Sequence, residues 1–336
     1  MAENDDIASK LNNLFGSDLF KENNFIKIYN LLGITNIESP EPAPPPAAPA
    51  PVSAAAPAEI DKILGKFNYN NNNNKLFYDT TTEIKIFDDS KKFDDSKNLA
   101  EIIKEFIQNI SVNIDAFKTA LLNSIIIGDI LKDLQNNDII VDPAGLNFMQ
   151  NKFDGATGLS GDIYNNLLDP KYKISSPDDV QIYFKNFTNE NDLFKIDKKN
   201  KNAFHHYYND ESYKNIHLIH AIGPNYREKN LTNIKDEYKN FMILYNDIYI
   251  EYNNINTIKD KNLRLPLHST GQFSGGDSNM NYILICLALA YLYIYCKINE
   301  GNKDKDKVKI YYLNDTDGII DKFKDILKKI INLILE

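Results

Sequence analysis

The chain is 336 residues long, with 43% hydrophobic and 25% charged residues and a formal net charge of −9, ordinary values for a globular protein with a well-buried core. Only two of its 38 basic residues are arginines, Arg227 and Arg264. Arginine supplies the bidentate contacts that read guanine and clamp phosphate, so an acidic chain this poor in it is not expected to bind nucleic acid sequence-specifically.

The polar start, Met1 to Ser9, lacks the basic-then-apolar pattern of a secretory signal. Within residues 1–38, Ile7 to Phe15 and Phe20 to Leu32 place apolar side chains at helical spacing. Two pieces this short cannot form a domain. They read as a flexible arm, either a poorly ordered tail or a peptide that folds on docking to a protein partner. Residues 39–58 are almost entirely Pro and Ala, a semi-rigid spacer. Residues 59–75 form a low-complexity connector ending in the Asn70 to Asn74 tract. The pentapeptide Phe87 to Lys91 recurs as Phe93 to Lys97, too short a unit for a repeat fold.

One enlarged domain is expected over 76–336. Leu76 to Ile86 reads as a strand pair. Leu99 to Ile107 and Ile114 to Leu122 read as helices. Strands follow at Ser124 to Ile127 and Asp138 to Val141, and a helix opens near Gly161. Further strands fall at Ile216 to Ile222, Leu263 to Leu267 and Val308 to Leu313. Helices run over Leu231 to Tyr252, Met280 to Cys296 and Thr316 to Leu335; in the last, Ile320, Phe323, Ile326, Leu327, Ile330, Ile331 and Ile334 share one face. Strands alternating with helices predict an α/β class chain. The apolar run Tyr282 to Cys296 falls short of the ~20 residues that span a bilayer, so a buried helix and no membrane association are expected. Cys286 and Cys296 lie too far apart on that helix for a disulfide, which suits an intracellular protein.

Three glycine-bearing turns stand beside predicted strands: Ile127-Gly128-Asp129-Ile130, the run Phe153 to Tyr164, and Leu263 to Gly276. Loops of this kind at strand ends let backbone N–H groups approach phosphate oxygens, and a helix N-terminus adds a favourable dipole. Taken with Ile140-Val141-Asp142-Pro143-Ala144-Gly145 and Ile219-His220-Ala221-Ile222-Gly223-Pro224, five motifs occur in an order that resembles the macrodomain family of ADP-ribose-binding modules. The resemblance covers roughly residues 120–336, with an insertion near 170–212.

The resemblance implies a three-layer α/β/α sandwich around a central mixed sheet. It implies ADP-ribose, or an ADP-ribosylated protein, as the partner. Asp129 would accept a hydrogen bond from the adenine amino group and Ile130 would pack beside it; Asp129 also fits a simple turn. Gly158, Leu159, Ser160, Gly161 and Ile163 would wrap the diphosphate, a run that also fits a helix cap with Ser160 as the capping residue. Ser269, Thr270, Gly271 and Gln272 would cradle its other side. Phe273 would pack on the distal ribose or serve the core. Leu313 and Asn314 are positional candidates for stacking on adenine.

Departures from the family pattern bear on catalysis. Its two asparagines become Asp142 and Gly145, and Gly145 has no side chain with which to orient the distal ribose. Asp162, where the family has alanine, puts a carboxylate in the expected first helical turn. Asn147, Asp142 and His268 are the candidates for a catalytic role. No cofactor or metal set is implied: His217 and His220 face opposite sides of one strand, His205 and His206 lie in a Tyr-rich stretch expected at the surface, and Asp94-Asp95 and Lys303 to Lys307 read as solvated loops. The expected function is non-catalytic ADP-ribose binding by a tethered module. The alternatives are an ADP-ribosyl hydrolase and a degenerate scaffold in a large assembly such as a virion.

Overall fold

The computed structural model describes residues 61, 64–65, 67–70, 75–78, 82–83, 85–87, 93–110, 113–150, 153, 155–173, 176–194, 201–209, 215–227, 234–300 and 306–335. The amphipathic arm, the Pro/Ala spacer, the tract Asn71 to Asn74 and most of the charge run at Lys303 lie outside these residues. The chain divides into two units. In the smaller, β1 (Phe67–Asn70), β2 (Lys75–Tyr78) and β3 (Thr82–Glu83) form an antiparallel sheet in that order.

The larger unit spans Lys85–Leu335. It opens with the antiparallel pair β4 (Lys85–Phe87) and β5 (Phe93–Asn98). Asp94 and Asp95 therefore lie in a strand, not in the solvated loop expected from their charge. Next come α1 (Leu99–Ile110) and α2 (Ile114–Asn123). The Asn113 side chain caps α2 by accepting from the Ala116 N–H at 2.7 Å.

The elements that build the main sheet and its second layer then follow. They are β6 (Ile125–Ile127), β7 (Asp138–Asp142), α3 (Leu146–Gln150), α4 (Gly158–Asn166), α5 (Asp178–Lys185), α6 (Glu190–Leu193), β8 (Ala203–Tyr208) and β9 (Ile216–Ala221). α7 (Ile234–Asn254), β10 (Asn262–Pro266), α8 (Asp277–Asn299), β11 (Val308–Tyr312) and α9 (Ile319–Leu335) complete the chain.

The sheet runs β6-β11-β10-β7-β9-β8. All neighbours are parallel except β8, which is antiparallel to β9. Strands covered on both faces read as continuous apolar runs, and β7 and β9 are buried at every position. α1, α2, α7, α8 and α9 pack on one face. α3, α4 and α5 cover the other through a core that includes Ile140, Met149, Ile163, Val180, Phe184 and Leu218. The result is the α/β/α sandwich with a mixed sheet that the resemblance implies, within the α/β class that the strand–helix alternation predicts.

α8 is apolar all round because α1, α7, α9 and β11 surround it. Its Asn279–Asn299 segment is long and apolar enough to cross a membrane, and 89% of its most apolar stretch is buried inside the protein. Cys286 and Cys296 sit there as free, buried thiols. The eight buried residues of α9 include all seven assigned to its apolar face from sequence.

The segment near 170–212 is not an appendage. Val180, Phe184, Phe187 and Leu193 join the second-layer core, and β8 closes the sheet from Ala203↔Ala221 to Tyr208↔Ile216. On this edge strand His205 and His206 are half-buried and both have partners. His205 Nε2 lies 2.9 Å from His217 Nδ1 with the rings stacked, and His206 Nδ1 lies 2.7 Å from Asp179.

Candidate functional site

The C-terminal ends of β6, β11, β10 and β7 open into one cleft of about 540 Å³, the place where open α/β sheets receive ligands. Each strand contributes a loop.

After β6 come Gly128, Asp129, Ile130 and Leu131, all lining the cleft. Asp129 is exposed, and its Oδ1 accepts from the Leu131 N–H at 2.8 Å, so it holds the turn while facing the opening. Ile130 is buried against the core. Its carbonyl accepts from Arg264 Nη1 at 2.9 Å; Arg264 also binds the Lys132 and Asp133 carbonyls and pairs with Asp138 at 2.6 Å. One of the two arginines thus staples a cleft loop from beneath instead of meeting a ligand.

α4 presents its N-terminus. Thr157, Gly158, Leu159 and Ser160 line the cleft, with Gly158 at φ +60°. The first N–H groups of a helix have no acceptor within it, and with the helix dipole they suit an anion. Gly161 and Ile163 are buried and do not line the cleft, which departs from their expected role around the diphosphate. A Cβ on Gly161 would stand 2.5 Å from the Ala156 carbonyl oxygen, and Ile163 belongs to the core. Asp162 does line the cleft, but from the second turn of α4 and not the first, with Asn166 one turn further on.

After β10, Ser269, Thr270 and Gly271 line the opposite wall. Ser269 adopts φ +60°, and its hydroxyl donates to the Pro224 carbonyl at 2.6 Å. The Thr270 hydroxyl donates to the Leu267 carbonyl at 2.8 Å. The Ser269 hydroxyl thus ties this loop to the one after β9, and the Thr270 hydroxyl braces the loop itself. Gln272 opens the 3-10 turn Gln272–Ser274, and Phe273 is a half-buried ring on the cleft wall. From β11, Tyr311, Tyr312 and Leu313 complete the lining, with Leu313 70% exposed. Asn314 is not among the lining residues.

Beneath Ser160 lies a buried polar hub. Asp142, 0% exposed, accepts from the Ser160 hydroxyl at 2.5 Å on one oxygen. Its other oxygen accepts from the Tyr164 hydroxyl and stands 2.8 Å from His220 Nδ1. His220 Nε2 meets the Tyr208 hydroxyl at 2.7 Å, and Phe153 stacks on Tyr164 at 4.0 Å. Burial, then the nearby Asp142 charge, pushes the Tyr164 and Tyr208 hydroxyls well above the ordinary tyrosine range, so both stay protonated donors.

None of the three catalytic candidates faces the cleft. Asp142 lies in the hub, and Asn147 sits exposed on α3 outside the lining. His268 is 1% exposed, with Nδ1 3.4 Å from the Tyr245 hydroxyl and no hydrogen-bond partner for Nε2 among the described residues. Burial pulls its pKa down to about 3. Gly145 does line the cleft, where a Cβ would meet the Phe148 ring at 3.0 Å and Phe273 Cζ at 3.5 Å. Phe148, Thr157, Asn166, Tyr311 and Tyr312 are lining residues that sequence reasoning missed. Phe148 carries no signal of its own in the sequence; it lines the cleft beside Gly145. Among the described lining residues there is no Lys, Arg or His.

No family model matches the sequence, and no curated protein matches it. Solved structures do. The chain is similar to macrodomains. The Oceanobacillus iheyensis macrodomain with ADP is 14% identical, with 62% of this chain covering 90% of that one at a TM-score of 0.39. The same macrodomain with MES bound is 16% identical, with 62% and 91% covered at a TM-score of 0.40. The alphavirus P23pro-zbd is 18% identical over 61% of this chain, which spans 23% of that structure, at a TM-score of 0.32. In the cleft of this chain, the loops carrying Asp129, Ser160 and Ser269 converge from β6, α4 and β10.

Proposed function

We propose that the cleft binds ADP-ribose or a related adenine nucleotide without hydrolysing it, as a module tethered through residues 1–58, of which 1–38 dock a protein partner. One observation carries the reading: a single cleft gathers Asp129, the N-terminal turn of α4 and the Ser269–Gly271 loop. Asp129 accepts the exocyclic amino hydrogen of adenine, and Ile130, Tyr312 and Leu313 give the base apolar cover. The diphosphate lies between the α4 N-terminus and the Ser269–Gly271 backbone, held by N–H groups and the helix dipole with no arginine clamp. This is compatible with an acidic chain.

The positions of the three candidate groups support the non-hydrolysing reading. A general base must reach the proton it takes, directly or through one water. Asp142 and His268 are sealed from the cleft, Asn147 points elsewhere, and Gly145 offers nothing. Calorimetric titration of the full chain with ADP-ribose tests the reading. Heat that saturates, together with no release of ADP-ribose from a mono-ADP-ribosylated protein, supports it. Neither heat nor thermal shift at millimolar ligand overturns binding, and measurable turnover restores the hydrolase reading.

A further inference from the structure

The strand order orients the cleft. β6 and β11 lie on one side of β10 and β7 on the other. Asp129 and Leu313 therefore mark one end, the Ser269–Gly271 loop the middle, and Pro143, Gly145 and Phe148 the β7 end. At the β7 end polar side chains give way to aromatic rings. Gly145 presents only backbone, and a Cβ there would meet Phe148 Cδ2 at 3.0 Å and Cε2 at 3.3 Å. The Phe148 ring thus occupies the space a side chain at 145 would need. Phe273 reaches the same point from the β10 loop, its Cζ 3.5 Å away. Both rings are half-buried and both line the cleft, Phe148 with its back against the second-layer core.

A sugar alone at this end would give up hydrogen bonds to water and find no side-chain partner on Gly145, Phe148 or Phe273. A planar ring exchanges water for aromatic faces and edges. A cationic ring gains more, because the ring faces attract it and no Lys, Arg or His among the described lining residues opposes it.

We infer that the β7 end seats an aromatic, electron-poor ring, so that the ligand is an adenine dinucleotide of the pyridinium kind, with Phe148 and Phe273 as its specificity residues. The inference rests on the proposal that an ADP moiety fills the rest of the cleft. Titrating the full chain with ADP, ADP-ribose, NAD+ and NADH separates the two. NAD+ is expected to bind about tenfold or more tighter than ADP-ribose, with NADH between them. Phe148→Leu and Phe273→Leu, which keep apolar bulk, should each weaken NAD+ about fivefold while leaving ADP within about twofold. ADP binding without an NAD+ preference, or a preference that survives both substitutions, overturns this inference alone. Failure of ADP to bind overturns the nucleotide reading beneath it as well. If Phe148→Leu does not fold, the ligand series on the native chain and Phe273→Leu decide.

Discussion

Ser160, in the first turn of α4, donates its hydroxyl hydrogen to the wholly buried carboxylate of Asp142 at 2.5 Å. This contact joins the cleft wall to the Asp142–His220–Tyr208 chain behind it. Asp142→Ala removes the acceptor shared by Ser160, Tyr164 and His220, and the Ser160 hydroxyl keeps the Pro143 carbonyl at 3.3 Å as a second one. Removing an acceptor from a buried donor costs about 1–3 kcal/mol, and losses within one network do not add in full. We expect urea denaturation to show a loss of about 3–5 kcal/mol, with weaker ADP-ribose binding by the remaining folded protein. Asp142→Asn keeps one acceptor oxygen and should lose less. A loss below about 1 kcal/mol for the alanine variant would show that the hub does not hold the wall.

Gly161→Ala tests a different constraint on the same wall. The added Cβ would stand 2.5 Å from the Ala156 carbonyl oxygen, a backbone atom, so α4 or the loop before it must move. Overpacking of this kind costs about 1–3 kcal/mol. Because Gly161 does not line the cleft, the expected outcome is a lower melting temperature with ligand affinity reduced only through displacement of Ser160. An unchanged melting temperature would mean that the loop has room the close contact denies.

Asn147→Ala is expected to leave ADP-ribose affinity within about twofold and to create or abolish no turnover. Asn147 is exposed on α3 and stands outside the cleft lining. A fall of about tenfold in calorimetric affinity would place it at the ligand after all.

Much of the framework was legible in the sequence because its strands are buried on both faces. Ile139, Ile140 and Val141 in β7, and Leu218 and Ile219 in β9, form apolar runs that need no partner to be recognised. β8 escaped notice for the opposite reason. Its Phe204, His205, His206, Tyr207 and Tyr208 read as polar-aromatic surface, and only pairing with β9 and the contacts of His205 with His217 and His206 with Asp179 give them a place. At the site, the glycine and Ser/Thr motifs located the loops, but not which residues face inward. Gly161 and Ile163 sit within the same motif as Gly158 and Ser160, yet helical geometry turns them to the core. Phe148 reaches the cleft only because Gly145 leaves it space, a relation between two positions that neither residue announces by itself.

His268 gives stability a pH dependence of predictable sign. Burial lowers its pKa to about 3 in the folded protein, against about 6.5 in an unfolded chain. Between those values the unfolded chain binds the proton and the folded chain does not. Stability therefore rises with pH across this window, and the contribution is complete above about pH 6.5. His205, lowered to about 4 by burial and then by His217, adds a term of the same sign. Carboxylates contribute to acid sensitivity too, so the native profile alone does not isolate the histidine. His268→Gln removes the titrating ring. Melting temperatures recorded from about pH 7.5 down to 4.5 should fall for both proteins, and less steeply for the variant. Parallel slopes would show that the His268 proton is not linked to folding.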